Sequence, residues 1–314
     1  MSAAVQSAGP PPRIILGGAL ATLYVVWGST YLAIAVLVDF VPPLTAAGAR
    51  FLLAGTLLAL VLIPMRRRRR LVVRRQEVVG AAGLSVLTLF AAFSFLFLGE
   101  THVPSGLAAL LIGSVPLWVV VLRLIARERV DRVMLVAVAA GFAGVAALLV
   151  PGAHTAAPVL WILVVLAAAL SEAVGSFAAP RIRLPDDPLL SATVQMLFAG
   201  ALTLASGLAL GERTDLGEIT AKAVIAFAYL VVPGSILAYT AFVWLLQNAS
   251  VSTATTYAYV NPVIALLLGW ALVDEPITPL TLASAAVVVA AVAVVLRRDA
   301  PTERTRRRRP RSAV

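Results

Sequence analysis

Ten apolar runs, each about twenty residues long and separated by short polar or proline-bearing breaks, constrain this chain more than any other feature. They cover roughly 14–36, 44–64, 78–99, 105–126, 132–150, 158–179, 189–209, 221–245, 252–273 and 278–297. A helix of that length matches the hydrocarbon core of a bilayer, about 30 Å thick. In lipid the backbone must be satisfied within a helix or a closed barrel. No stretch alternates with period two as a barrel strand would, so the runs are expected to be helices. The composition agrees. Residues are 61% hydrophobic and 13% charged, whereas a soluble domain carries about 45–50% apolar and about 25% charged residues. Ten spans consume most of the 314 residues and leave no room for a soluble domain.

The formal charge is +10. In a soluble protein that excess would suggest nucleic acid. Here the arginines cluster between apolar runs, so the expected partner is the lipid bilayer and not nucleic acid. Arg66–Arg70, Arg74 and Arg75 fall on one side, together with Arg127, Arg129, Arg132, Arg181, Arg183 and the arginines from Arg297 onward. Asp39, Glu100, Glu212, Asp215, Glu218, Asp274 and Glu275 fall on the other. The positive-inside rule then places both termini in the cytoplasm of a multi-pass inner (plasma) membrane protein, which requires an even number of spans. Met1–Arg13 has no Ala-x-Ala cleavage site, so the first run reads as a retained helix. The arginine-rich C-terminal tail reads as a topological anchor or a binder of anionic lipid.

The chain has no cysteine, which excludes disulfides and thiolate chemistry, and its two histidines, His102 and His154, lie in different loops. No metal site and no cofactor are expected. The Walker A loop, the zinc-type His-Glu-x-x-His and the Gly-x-Ser-x-Gly elbow are absent, so neither an enzyme nor an ATP-driven pump is expected.

An internal repeat follows from the spacing. Aligning Pro43-Leu44 with Pro188-Leu189 places Ala54-Gly55 on Ala199-Gly200, and Ala33, Ala47 and Leu52 also meet identical residues. One position further along, Pro116 meets Pro262. The expected division is a tail over 1–13, five helices over 14–150, five over 151–297, and a basic tail over 298–314. Five spans is an odd number, so the second half must enter the membrane inverted. That is an architecture of secondary transporters, with a site near the midplane between the halves.

Trp27-Gly28-Ser29-Thr30-Tyr31-Leu32-Ala33-Ile34 resembles the first-helix signature of EamA-type transporters of the drug/metabolite transporter superfamily. Arg50-Phe51, Pro116-Leu117, Asn261-Pro262-Val263 and Gly269-Trp270-Ala271-Leu272-Val273-Asp274-Glu275-Pro276 resemble that family's later helices. The resemblance spans about 14–297. It implies ten helices in two repeats and transport of small metabolites, often export. The chain departs from the family pattern at Glu172, where a tryptophan is usual, and at Asn261, where an acid is usual. Glu128 also lies one position closer to its proline than Glu275 does.

Glu172 is the sharpest candidate. It interrupts an apolar run, and a carboxylate inside a membrane is costly. It would carry a proton or bind a substrate amine, or serve as a hydrogen-bonded structural acid. Arg50 would clamp a substrate carboxylate, or snorkel or pair with a neighbouring helix; its repeat partner is the uncharged Gln195. In the ninth run Tyr257, Tyr259 and Asn261 precede Pro262, which frees a carbonyl one turn earlier. Pro116 and Pro262 are expected helix breaks. Trp27, Thr30 and Tyr31 would line a wall or pack as core. Glu100 and His102 read as solvated loop residues, and Asp274-Glu275-Pro276 as the start of a helix.

The expected function is a secondary transporter working by alternating access, exporting a small-molecule substrate such as an amino acid or derivative, with protons as a coupling ion. Facilitated diffusion and drug efflux stand beside it. A receptor and a lipid-acting enzyme are the readings from other classes. Substrate and oligomeric state are not encoded in any motif.

Overall fold

The structure is a computed structural model that describes residues 13–69, 74–149, 157–215, 217–249 and 251–299. The tail over 1–12, Arg70, His154 and the basic tail beyond 299 lie outside the described residues. Among the described residues the fold is entirely helical. Ten apolar helices follow one another: α1 (Arg13–Val38), α2 (Pro43–Arg69), α3 (Arg75–Glu100), α4 (Ser105–Ile125), α5 (Arg132–Ala147), α6 (Val159–Arg181), α7 (Pro188–Ala209), α8 (Ala221–Leu245), α9 (Tyr257–Val273) and α10 (Pro279–Arg298). Eight are long and apolar enough to cross a bilayer, and α5 and α9 are shorter. Large apolar side chains such as Leu60, Ile63, Val136, Leu160, Ile225 and Leu282 remain exposed on the outside of the bundle, where lipid would cover them.

The helices pair in a pattern unchanged when the two halves are exchanged. α2 packs on α7, α5 on α10 and α4 on α9, while α3–α6 is matched by α8–α1 and α4–α6 by α9–α1. The α2–α7 pair lies on this pseudo-twofold axis. A Cβ on Gly48 would sit 2.5 Å from the Leu204 nitrogen, and one on Gly55 would sit 3.0 Å from that of Leu197. Gly200 faces Leu52 and Gly207 faces Leu44 in the same way. Numbers rise along one helix as they fall along the other, so the pair is antiparallel, as an inverted repeat demands. Gly55 and Gly200 are the residues that the repeat alignment had matched.

Helix ends follow from local chemistry. Asp131 caps α5 by accepting from Val133 N at 2.6 Å, and Asp187 caps α7 by accepting from Leu189 N at 2.9 Å. α2 and α4 are instead capped from the opposite half. Glu212 accepts from Leu44 N at 3.1 Å and Thr45 N at 2.7 Å, and Glu275 accepts from Ser105 N at 2.7 Å and Gly106 N at 3.0 Å. Both glutamates follow a left-handed residue that ends a helix, Gly211 (φ +83°) and Asp274 (φ +54°). The expectation that Asp274-Glu275-Pro276 opens its own helix is therefore corrected: Glu275 serves the dipole of α4. Glu212→Ala and Glu275→Ala should each remove about 1–2 kcal/mol, the loss of a helix cap. Thermal unfolding in detergent would read this, with the exposed Glu218→Ala unchanged.

Two proline expectations differ in outcome. α4 is interrupted at Gly113-Ser114, and Pro116 stands in the first turn of its second segment, where its missing N–H costs nothing. α9 runs through Pro262 without interruption. The break lies upstream, at Thr255-Thr256, so Pro262 is not the break itself.

Candidate functional site

The centre of the bundle is organised by widened helical turns. α3 contains a π-helical segment at Val86–Ala91 and α8 one at Leu230–Leu237, at equivalent places in the two repeats. Such turns shift the hydrogen-bond ladder and recur at functional sites. Each offers a carbonyl to the neighbouring half. Ser171 of α6 donates to the Leu87 carbonyl at 2.9 Å, and the Trp27 indole of α1 donates to the Gly234 carbonyl at 3.0 Å. Trp27 itself ends a third such segment, Leu23–Trp27.

An aromatic wall surrounds Trp27. Its ring meets Tyr257 edge-on at 4.8 Å and Phe242 at 5.4 Å, and Phe242 meets Tyr257 at 5.7 Å and Tyr239 at 6.3 Å. Edge-to-face contacts of this kind fix ring orientation. Polar links hold the helices beside it: the Tyr24 hydroxyl lies 2.6 Å from Thr256 Oγ1, and Ser29 Oγ lies 2.6 Å from the Tyr229 hydroxyl. Glu172, the repeat partner of Trp27, is half-buried and makes no hydrogen bond or ion pair among the described residues. Its carboxyl group lies within electrostatic reach of the Tyr31 and Tyr257 hydroxyls.

Arg50 is buried, at 4% exposure. Its Nε donates to Ser235 Oγ at 3.0 Å, and Ser235 in turn donates to the Leu230 carbonyl inside the α8 π segment. The guanidinium lies 5.1 Å from the Phe51 ring and 5.4 Å from that of Phe93, while Nη1 has no partner. Arg50 therefore packs against α8 and does not snorkel. Gln195 holds the equivalent place in the other half, donating to Ser191 Oγ at 3.1 Å.

The remaining candidates divide. Tyr31, one turn beyond Trp27, packs against the main apolar core and lies within electrostatic reach of Glu172, Glu100, Tyr257 and Arg50. Thr30 is buried, and its hydroxyl is spent on the Trp27 carbonyl at 2.6 Å. Asn261 is buried one turn beyond Tyr257, with Oδ1 unpartnered. Tyr259 packs against the main apolar core and makes no ring contact with the aromatic wall. Glu100 corrects the solvated-loop expectation: it is 5% exposed, and neither carboxylate oxygen has a hydrogen-bond partner. His102 is exposed and stacks on Trp161 at 4.2 Å. Sequence reasoning missed Phe242, Tyr239 and Ser235. A signal for the last was present in Pro233-Gly234-Ser235, which breaks the pattern in the middle of an apolar run.

At the arginine-bearing end, charges tie the halves together. Glu128 accepts from Arg123 at 3.0 Å and from Arg181 at 2.7 Å, and Asp131 accepts from Arg298 at 3.1 Å. Slight desolvation raises the pKa of Asp131. The N–H groups of Val133 and Met134 and the Arg298 charge outweigh that effect and hold it below the usual carboxylate range.

A bundle of helices in two inverted halves, with polar and aromatic groups gathered between them, is the architecture of a membrane transporter. The profile of the EamA-like transporter family matches residues 14–150 and again residues 159–297, so the chain belongs to that family. It is 35% identical over 283 residues to "Uncharacterized inner membrane transporter YedA" of Escherichia coli K12, covering 89% of this chain and 90% of that protein. It is 29% identical over 287 residues to "Probable terminal-alkyne amino-acid exporter" of Streptantibioticus cattleyicolor, covering 89% and 93%. A crystal structure of a protein 20% identical in sequence superimposes with a TM-score of 0.62 over 90% of this chain and 98% of the other, which shows a shared fold.

Proposed function

We propose that the chain exports a small amine-bearing metabolite, an amino acid or a derivative of one, by alternating access across the inner membrane with both termini in the cytoplasm. The observation that carries this reading is Glu172. Its carboxyl group has no ion pair among the described residues and lies within electrostatic reach of two tyrosine hydroxyls, one of them in the aromatic wall. An ammonium group gains there both an ionic partner and ring faces. A proton satisfies the same carboxylate when substrate leaves, which provides a means of antiport against the proton gradient. The amino-acid exporter named among the relatives supports the substrate class.

The test is counterflow in proteoliposomes with a panel of amino acids, their derivatives and cationic drugs. Flux of an amine-bearing class is expected, faster with an opposing proton gradient. Glu172→Gln should weaken substrate by about 10- to 100-fold, the equivalent of a charged hydrogen bond of about 1.5–3 kcal/mol. It should also remove the effect of the gradient. Full flux with unchanged pH dependence in that variant would rule out the coupling role of Glu172, and parental flux that ignores the gradient would mean facilitated diffusion.

A further inference from the structure

Glu100 lies where the last turn of α3 meets α1, and its carboxyl group is buried. Both oxygens are buried without a hydrogen-bond partner. Facing it are Arg50 of α2, Glu275 of the segment after α9, the backbone N–H of Ala35 and the Tyr31 hydroxyl of α1. Of the other elements packed here, α6 brings Val165 and Trp161 against Gly99. Glu275 directs its oxygens to the N–H groups of Ser105 and Gly106. Arg50 is held by Ser235 and the two phenylalanine rings, and its Nη1 is unpartnered although an acid lies close by.

The Arg50 charge is met by Ser235 and the two rings, whereas an ionised Glu100 would be a buried carboxylate without an ion pair, which is expensive. Arginine keeps its proton in proteins, so the neutral partner is the glutamic acid. We infer that Glu100 is a gating proton site: it holds a proton while this end of the bundle is closed and releases it to water when this end opens, becoming the ion-pair partner of Arg50. The proton is taken from and returned to the same side. It sets how readily this end opens as the pH on that side changes, and it adds nothing to the transport stoichiometry. That separates its role from the one proposed for Glu172. The inference rests on the alternating-access reading.

The absence of native cysteine allows a direct test. Val103 is 2% exposed at this end, and Asp39 is exposed. The rate at which a polar maleimide labels Val103→Cys, divided by its rate on Asp39→Cys, reports opening independently of thiol chemistry and of any substrate. The ratio should rise with pH by up to about tenfold per unit, the limit for one released proton. Glu100→Gln should flatten the profile in the closed direction, Glu100→Asp should keep the slope, and Glu275→Gln should keep it while raising the ratio at every pH. Labelling with no pH slope in the parent, or a slope that survives Glu100→Gln, would overturn the gating role alone. A Val103→Cys that never labels at any pH would overturn alternating access at this end, and the gate with it.

Discussion

Replacing Gly200 by leucine is expected to abolish folded protein. The Cβ of any residue there would overlap the backbone of Leu52, with the Leu52 Cα only 2.9 Å away, and backbone inside a packed helix cannot step aside as a side-chain tip can. Overpacking a core costs about 1–3 kcal/mol when side chains give way, and more when the backbone must move. A domain has only about 5–15 kcal/mol in total. Gly200→Ala should therefore survive with a reduced melting temperature, and Gly200→Leu should lose the monodisperse peak in size-exclusion chromatography. Gly48→Leu should behave alike, because its Cβ would stand 2.5 Å from the Leu204 nitrogen. Gly83→Ala is the control. Nothing lies within 4 Å of its Cβ, and alanine gains about 0.5–1 kcal/mol over glycine inside a helix. A stable, monodisperse Gly200→Leu would show that α2 and α7 do not meet at this crossing.

Removal of Arg50 should have the second largest effect. Arg50→Ala deletes the bond to Ser235, empties the space beside the Phe51–Phe93 pair, and strips Glu100 of a nearby cation. Loss of a hydrogen bond from a charged group costs about 1.5–3 kcal/mol, and the emptied space adds to it. Arg50→Lys keeps the charge but loses the Nε–H donor and the planar guanidinium beside the two rings, so it should fall between parent and alanine. Thermal unfolding without substrate decides the role. Loss of stability in both variants identifies Arg50 as the tie between α2 and α8. A lysine variant with parental stability and weakened substrate would instead restore the carboxylate-clamp reading.

Much of the architecture was legible because the bilayer leaves a chain few options. Ten apolar runs became ten helices, and Pro43-Leu44 matching Pro188-Leu189 exposed the duplication that the family profile finds as two matches. Glu172 stood out for the same reason, as a carboxyl group in a run that otherwise avoids charge. What misled was position along a run. Glu100 sits at the edge of its apolar segment, where hydropathy cannot distinguish a solvated acid from one covered by α1 and the segment after α9. Glu275 looked like the start of the helix that follows it. Its partners, Ser105 and Gly106, are far away in sequence and come close only because α4 and α9 pair across the two halves. Pro262 carried the standard signal for a break, yet the helix continues through it and gives way at Thr255-Thr256.

By itself the sequence determined that this chain is an all-helical membrane protein, that it is a duplicated and inverted one, and that a carboxyl group, Glu172, interrupts one of its apolar runs. Those properties depend on local hydropathy and on odd-even counting of spans, which need no knowledge of neighbours. Only the tertiary structure decided which helices meet, which glycines have no room for a side chain, and that Trp27, Phe242 and Tyr257 form one aromatic cluster while Tyr259 packs against the main core. Lipid treats all apolar faces alike, so periodicity cannot say which face of a membrane helix turns inward. Side-chain packing and hydrogen bonds between distant segments make that choice.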